Sequence, residues 1–110
     1  MTRYAIFFTL KPETIQGMMS KPSDREEVVG KLTEKAGGKL EAYYWMTGQW
    51  DGFVIASAPD GQSAAAVSIA VSSTGAFGHL ETHELFTASE VNDIVGRAKD
   101  LATAYTPPGV

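Results

Sequence analysis

The sequence predicts an α+β fold in which helices cover a four-stranded antiparallel sheet. Three observations predict this class. Segments rich in aromatic and β-branched residues have the composition of strands, and other segments carry apolar residues at helical spacing. The two kinds of segment alternate along the chain, and turn residues separate them. Finally, 110 residues with 44% hydrophobic and 20% charged residues form one globular domain with a core of its own.

The first strand is predicted over residues 3–10, which read RYAIFFTL and are apolar on both faces. A strand of this kind is covered on both sides and belongs in the interior of a sheet. Residues 11–22 contain Pro12, Gly17 and Pro22, and they predict a loop with one short turn.

The first helix is predicted to begin at Ser23, because Ser23 and Glu26 have the spacing of a capping box. Val28 and Leu32 then fall on one helical face. The glycine pair at positions 37 and 38 predicts the end of this helix.

Two strand segments lie on either side of Gly48-Gln49-Trp50-Asp51, which predicts a hairpin. A short turn there predicts that Met46 lies opposite Phe53 and that Tyr44 lies opposite Ile55. The residues predicted to share the other face are Tyr43, Trp45, Val54 and Ala56.

A helix, a strand and a further helix complete the pattern. Asp60 is a suitable N-cap for an alanine-rich helix that ends near Gly75. The strand follows over residues 77–87. Thr87 and Glu90 then have capping-box spacing, and apolar residues recur on one side of the helix after them. We expect one domain over residues 1–104 and a loose tail over residues 105–110.

The order β-α-β-β-α-β is that of the ferredoxin-like fold, with the last helix as an addition. Two helices then cover one face of the sheet and leave the other open. Because the strands are apolar on both faces, the open face predicts a partner copy. Two such sheets packed face to face form a dimeric α+β barrel, so we expect a homodimer or a higher homo-oligomer. The alternative cover is the C-terminal helix, folded back across the sheet.

The motif Gly48-Gln49-Trp50-Asp51 resembles the Gly-x-Tyr-Asp signature of the GYD-domain family. Neighbouring features occur in the family's order, among them Pro59-Asp60 and Glu81-Thr82, and the resemblance covers residues 4–95. Trp50 replaces the family's tyrosine, and Thr14-Ile15 stands where a Gly-Ile pair is expected. The resemblance implies a dimeric α+β barrel fold and leaves the function open.

His79, Glu81 and His83 alternate along the last strand, so they share one face. Two imidazoles and a carboxylate are the ligand types of a non-haem iron site. Residues four apart in a strand are, however, about 13 Å from each other, which is too far for both histidines to hold one ion. We therefore predict no metal and no cofactor, and we keep His79 and His83 as candidate ligand contacts.

The other candidate ligand contacts are Tyr44, Asp51, Thr82 and Glu84. Tyr44 belongs to an aromatic group around the hairpin, which either packs in the core or lines a pocket for a flat organic molecule. Asp51 follows a turn, where it acts as a general base or accepts backbone hydrogen bonds. Thr82 and Glu84 share the second face of the last strand, where they contact a ligand or remain exposed at an edge.

Composition excludes several classes of protein. The chain has no cysteine, which excludes disulfide scaffolds and thiol catalysis. Its net charge is −4 and it has no basic run, so we expect no nucleic-acid partner. The uncharged stretch over residues 61–80 is too rich in serine and glycine for a membrane span. Without the pattern of a signal peptide, we expect a cytoplasmic protein.

The sequence thus favours a homo-oligomeric protein that either binds a small organic molecule or has a regulatory role. One alternative is a cofactor-independent enzyme, similar to monooxygenases or isomerases, that acts on a small aromatic substrate; it rests on fold analogy alone. Another alternative is a structural interaction module, in which the small-residue helix packs against another protein.

Overall fold

The computed structural model describes all 110 residues of the chain. Four strands and four helices follow one another in the order β-α-α-β-β-α-β-α. Their bounds are β1 Thr2–Leu10, α1 Pro12–Ser20, α2 Arg25–Lys35, β2 Lys39–Trp45, β3 Gly52–Ala58, α3 Gly61–Ser72, β4 Phe77–Leu85 and α4 Ala88–Ala102.

The four strands form one antiparallel sheet in the order β2-β3-β1-β4. This order confirms the predicted α+β class and the ferredoxin-like arrangement of its strands. β1 lies inside the sheet between β3 and β4, as its two apolar faces predict, while β2 and β4 form the edges.

The two faces of the sheet have different surroundings. On the helix-covered face, Tyr4, Phe8, Val54 and Ala56 are buried beneath the helices. The opposite face, called here the open face, has no helix over it. Side chains on the open face are those of Phe7, Tyr44, Phe53, Ile55, His79, Glu81 and His83.

Two local predictions in the first half of the chain are wrong. Residues 11–22 are not a loop, because α1 begins at Pro12, a residue whose fixed φ and missing N–H suit the first helical position. α2 is capped by Asp24 rather than Ser23: the Asp24 carboxylate accepts a hydrogen bond from the Glu27 N–H at 3.0 Å. A carboxylate is as good an N-cap as a hydroxyl, so the cap moves one residue along the chain.

The hairpin forms, but its predicted register is wrong by two residues. Tyr44 lies opposite Phe53 rather than opposite Ile55, and β2 bulges between Leu40 and Ala42. Because side chains alternate with a period of two, this shift leaves every residue on its predicted face. Tyr43 therefore still shares a face with Val54.

α4 begins with the predicted capping box, in which Thr87 and Glu90 each accept a hydrogen bond from the other's backbone N–H. No residue of α4 is buried. The apolar residues along it include Val91, Val95 and Leu101, which are 43%, 59% and 70% exposed. The chain leaves β4 through Phe86, which is 53% exposed, and α4 projects from the rest of the domain. The helix therefore does not fold back across the open face. The prediction that the C-terminal helix covers this face is wrong.

The projecting helix makes the chain extended. The radius of gyration is 17.6 Å, whereas a compact chain of this length has about 13 Å. The accessible surface is 7816 Å², whereas a compact chain of this mass exposes about 5,900 Å². None of the helices has the length and apolarity needed to traverse a lipid bilayer.

Candidate functional site

A cavity of about 570 Å³ lies between the helix-covered face of the sheet and the helices α1, α2 and α3. Sixteen of its 24 lining residues are hydrophobic. α2 contributes Val28 and Leu32 to the wall, and α3 contributes Val67 and Val71. The helices thus cover the sheet without filling the space beneath them, which leaves an apolar chamber.

Phe8 lies at the centre of the cavity floor and is only 5% exposed. Its ring meets three other aromatic rings edge-on: Trp45 at 5.6 Å, Phe77 at 5.8 Å and Tyr43 at 6.1 Å between centroids. Edge-to-face packing of this kind fixes the orientation of each ring. The floor is therefore a rigid aromatic surface.

The helix α1 covers part of the cavity with Thr14 and Met18. It is attached at its first turn, where the Lys11 N–H and the Thr14 hydroxyl both donate to the Ala76 carbonyl at 3.1 and 2.7 Å. No residue of α1 is buried. α1 is thus attached to the domain at its first turn and has no buried side chain along the rest of its length.

The cavity wall near the start of α2 carries the phenol of Tyr43 and the guanidinium of Arg25. Burial raises the pKa of Tyr43, and the positive charge of Arg25 opposes that rise. The phenol is consequently neutral at physiological pH and can donate a hydrogen bond.

A second cluster lies on the open face, where Glu81 sits between two histidines of its own strand. One carboxylate oxygen is 3.0 Å from His79 Nε2, and the other is 3.0 Å from His83 Nε2. The hydrogen bond with His79 has the largest effect and lowers the pKa of Glu81; burial opposes this shift, and the hydrogen bond with His83 lowers the pKa further. One ionised carboxylate thus orients both imidazoles.

Aromatic rings flank this cluster. Trp50 stacks on His79 with centroids 5.4 Å apart and an interplanar angle of 30°, and Phe7 meets His83 edge-on at 5.8 Å. Phe7 also contacts Trp50 and stacks on Phe53. The two histidines therefore lie beside an aromatic surface, while their own side chains are 61% and 53% exposed to solvent.

The predicted signature has a structural explanation. Gly48 has φ of +105°, a left-handed conformation that suits glycine in the turn. Gly52 lies so close to β1 and β2 that a Cβ there would be 2.6 Å from the Phe8 ring and 2.7 Å from the Tyr44 carbonyl oxygen. Between them, the Asp51 carboxylate accepts a hydrogen bond from the Leu10 N–H at 2.7 Å. The motif thus turns the hairpin, ties it to β1 and holds Trp50 on the open face.

The structure places the six candidate residues in three locations. His79, His83 and Tyr44 lie on the open face, where Tyr44 is 59% exposed and packs on Phe53 at 5.6 Å. Asp51 lies at the hairpin end, bonded to Leu10. Thr82 and Glu84 lie on the helix-covered side of β4.

Thr82 and Glu84 both sit outside the cavity wall, since neither lines it. The Thr82 hydroxyl is 2.6 Å from the Ser68 hydroxyl of α3, so this side chain joins α3 to the sheet. Glu84 is exposed at the edge. The six residues therefore do not converge on one site.

Several residues of the two clusters were absent from the predicted set. Glu81 and Trp50 complete the open-face cluster, and the alternation of Glu81 with the histidines was the available signal. The cavity residues Lys21 and Arg25 carry no such signal, because only the packing of α1 and α2 over the sheet brings them to the wall. No three side chains of the metal-ligating types lie close enough together to hold an ion.

A family model described as the GYD domain matches residues 4–95 of the 110-residue chain. No curated protein matches the sequence.

Proposed function

The chain belongs to the GYD domain family, and we propose that it is a homodimeric protein that binds a small organic molecule. The observation that carries the proposal is the cavity of about 570 Å³. Pockets for small molecules have volumes of about 300–1,000 Å³ and apolar walls with a few polar groups. Here the wall is mainly apolar, and hydroxyl and cationic side chains provide the polar groups.

The aromatic floor supports a flat or elongated apolar ligand. Phe8 and Phe77 present ring surfaces to the chamber from below, and Val67 and Val71 face it from above. Filling such a chamber with apolar atoms stabilises the complex by about 25 cal/mol for each Å² removed from water.

The surface of the chain supports a homodimer. Its accessible surface of 7816 Å² exceeds that of a compact chain of the same mass by roughly 1,900 Å². Burial of that excess on each of two chains falls in the range of obligate dimers, roughly 2,000–5,000 Å² in total. The open face and the apolar side of α4 are the surfaces that such a dimer covers. A cytoplasmic location stays a prediction, as does the domain boundary at residue 104.

The test is native mass spectrometry of the protein purified gently from its own host. We expect a dimer that carries a bound small molecule. Val71→Trp fills the cavity, so this variant loses the bound mass and keeps the dimer. Ile69→Trp is the matched control, since Ile69 is 70% exposed on the same helix and outside the cavity wall.

Two outcomes contradict the proposal. Bound mass that persists in folded Val71→Trp, or in the milder Val67→Phe, places the ligand outside the cavity. A protein that is monomeric at every concentration contradicts the proposed homodimer. Circular dichroism of each variant shows whether the fold is kept.

A second candidate function is cofactor-independent acid–base catalysis on a small aromatic substrate at the open face. The specific observation in its favour is Glu81, which holds His79 and His83 in an aromatic setting. Its test is an NMR titration of both histidines in the wild type and in Glu81→Gln, with and without the molecule recovered above. If the chemical shifts and titration curves of both histidines are the same with and without that molecule, the catalytic function is contradicted.

A further inference from the structure

The charges that line the cavity have one sign. The chain as a whole has 13 acidic and 9 basic residues. The only charged residues of the cavity wall are nevertheless Lys21 and Arg25, and no carboxylate lines it. The cavity therefore has a positive wall in a protein of net charge −4.

Neither of these cations is neutralised within the chain. The ion pairs of the structure involve Arg3, Lys31, His79 and His83, and not the two cavity cations. The side chains of Lys21 and Arg25 also form no hydrogen bond with any other residue. An unpaired guanidinium beside an apolar chamber keeps its full capacity to bind an anion.

Tyr43 adds a third donor beside Arg25. Its hydroxyl forms no hydrogen bond within the chain, although the ring is partly buried on the cavity floor. Tyr43 and Arg25 both line the cavity, and the charges of Arg25 and Glu26 act on this phenol in opposite directions. A phenol and a guanidinium together match the two oxygens of a carboxylate.

We propose that the ligand of this cavity is an apolar monocarboxylate. Its carboxylate binds Arg25, with Tyr43 and Lys21 as further donors, and its apolar body lies on Phe8 and Trp45. This inference rests on the proposed binding function, and it adds the chemical class of the ligand.

The test compares acids with neutral analogues of the same shape by isothermal titration calorimetry of the full chain. The acids are naphthalene-2-carboxylate and decanoate, and the neutral analogues are naphthalene-2-carboxamide and decanol. We expect one of the acids to bind about tenfold more tightly than its analogue, the usual effect of one charge-assisted hydrogen bond. Added salt should reduce that preference, because Lys21 is exposed to solvent and salt screens exposed charges.

The variant Arg25→Gln removes the charge and keeps a hydrogen-bond donor of similar length. We expect it to abolish the preference for the acid and to leave the affinity for the neutral analogue unchanged. Arg97→Gln on α4 is the matched control, since Arg97 lies outside the cavity wall and forms no ion pair. It should keep the preference of the wild type.

The outcomes separate the two proposals. Equal affinity for acid and analogue overturns the assignment of the ligand class and leaves small-molecule binding in place. Binding of neither pair also overturns the assignment of the ligand class, and the bound mass in native mass spectrometry decides separately whether the cavity holds any small molecule. An acid preference that survives Arg25→Gln, or that persists in the cavity-filled Val71→Trp, shows that the anion is held elsewhere on the surface and overturns the assignment to this cavity.

Discussion

The carboxylate of Asp51 accepts a hydrogen bond from the backbone N–H of Leu10, 41 residues away in the chain, at 2.7 Å. The backbone N–H of Asp51 in turn donates to the Phe8 carbonyl at 2.9 Å. These two bonds continue the pairing of β3 with β1 beyond the last pair, Phe8 with Gly52. On the other side of β1, the pairing with β4 changes register at the same level, between Thr9 and Leu10. Asp51 therefore fixes the hairpin against the central strand, next to both the cavity floor and the open face.

The first prediction concerns Asp51→Ala. This change leaves the partly buried Leu10 N–H without its acceptor, and we expect the free energy of unfolding to fall by about 1–3 kcal/mol. Urea denaturation at a fixed protein concentration measures it. Asp51→Asn keeps an acceptor oxygen and should lose less, while Asp93→Ala on exposed α4 should change stability little. A loss of the same size in Asp93→Ala would contradict this role for Asp51.

The second prediction concerns Gly52→Ala. The added Cβ would meet the Phe8 ring at 2.6 Å and the Tyr44 carbonyl oxygen at 2.7 Å, and the backbone cannot yield cheaply. We expect a loss of about 1–3 kcal/mol from overpacking. Gly30→Ala is the control, because its Cβ would only touch Leu40 at 4.0 Å within α2, where alanine favours the helix by about 1 kcal/mol. Thermal unfolding should therefore move in opposite directions for the two variants.

The third prediction concerns acid stability. The hydrogen bonds from His79 and His83 lower the pKa of Glu81 below its ordinary value of 4.5. A carboxyl whose pKa is lower in the folded state stabilises the fold above its unfolded pKa and loses this effect as the pH falls through the folded pKa. We therefore expect part of the stability to disappear below pH 4.5.

The variant Glu81→Gln isolates the part of the acid-dependent stability that comes from the Glu81 carboxylate. This variant should show a weaker dependence of the unfolding midpoint on pH below 4.5 than the wild type, measured by circular dichroism at matched protein concentration. Glu84→Gln on the exposed edge of the same strand is the matched control. Identical acid profiles for Glu81→Gln and the wild type would show that the histidine contacts do not stabilise the folded state.

The fourth prediction concerns the open face as the dimer surface. Tyr44 is 59% exposed in the single chain, so Tyr44→Glu should leave the fold intact. In the proposed dimer it places an unpaired carboxylate in the interface, and we expect dissociation to become at least about a hundredfold easier. Sedimentation velocity at several concentrations measures this.

Ile69→Glu provides the comparison for that experiment. Ile69 is exposed on the outer face of α3, away from the open face, and its variant should remain dimeric. If Ile69→Glu dissociates and Tyr44→Glu does not, the interface lies on α3, as expected for an interaction module built on the small-residue helix.

The sequence by itself determined the class and order of the main elements. The apolar faces of residues 3–10, the hairpin around Gly48 and the capping box of Thr87 with Glu90 all depend on neighbours close in the chain, and the structure confirms them. Local hydrogen bonds and side-chain periodicity are properties of short segments, so short segments predict them. The start of α2 and the hairpin register were missed because adjacent caps and two-residue shifts differ little in local energy.

Only the tertiary structure decided where the chemical groups meet. It placed His79 and His83 on the open face and Thr82 on the helix-covered one, a choice that alternation along β4 left undetermined. It also brought Lys21 and Arg25 to the wall of one cavity and left α4 without a buried residue. The physical reason is that burial and charge environment arise from contacts between segments far apart in the chain, and no local pattern encodes them.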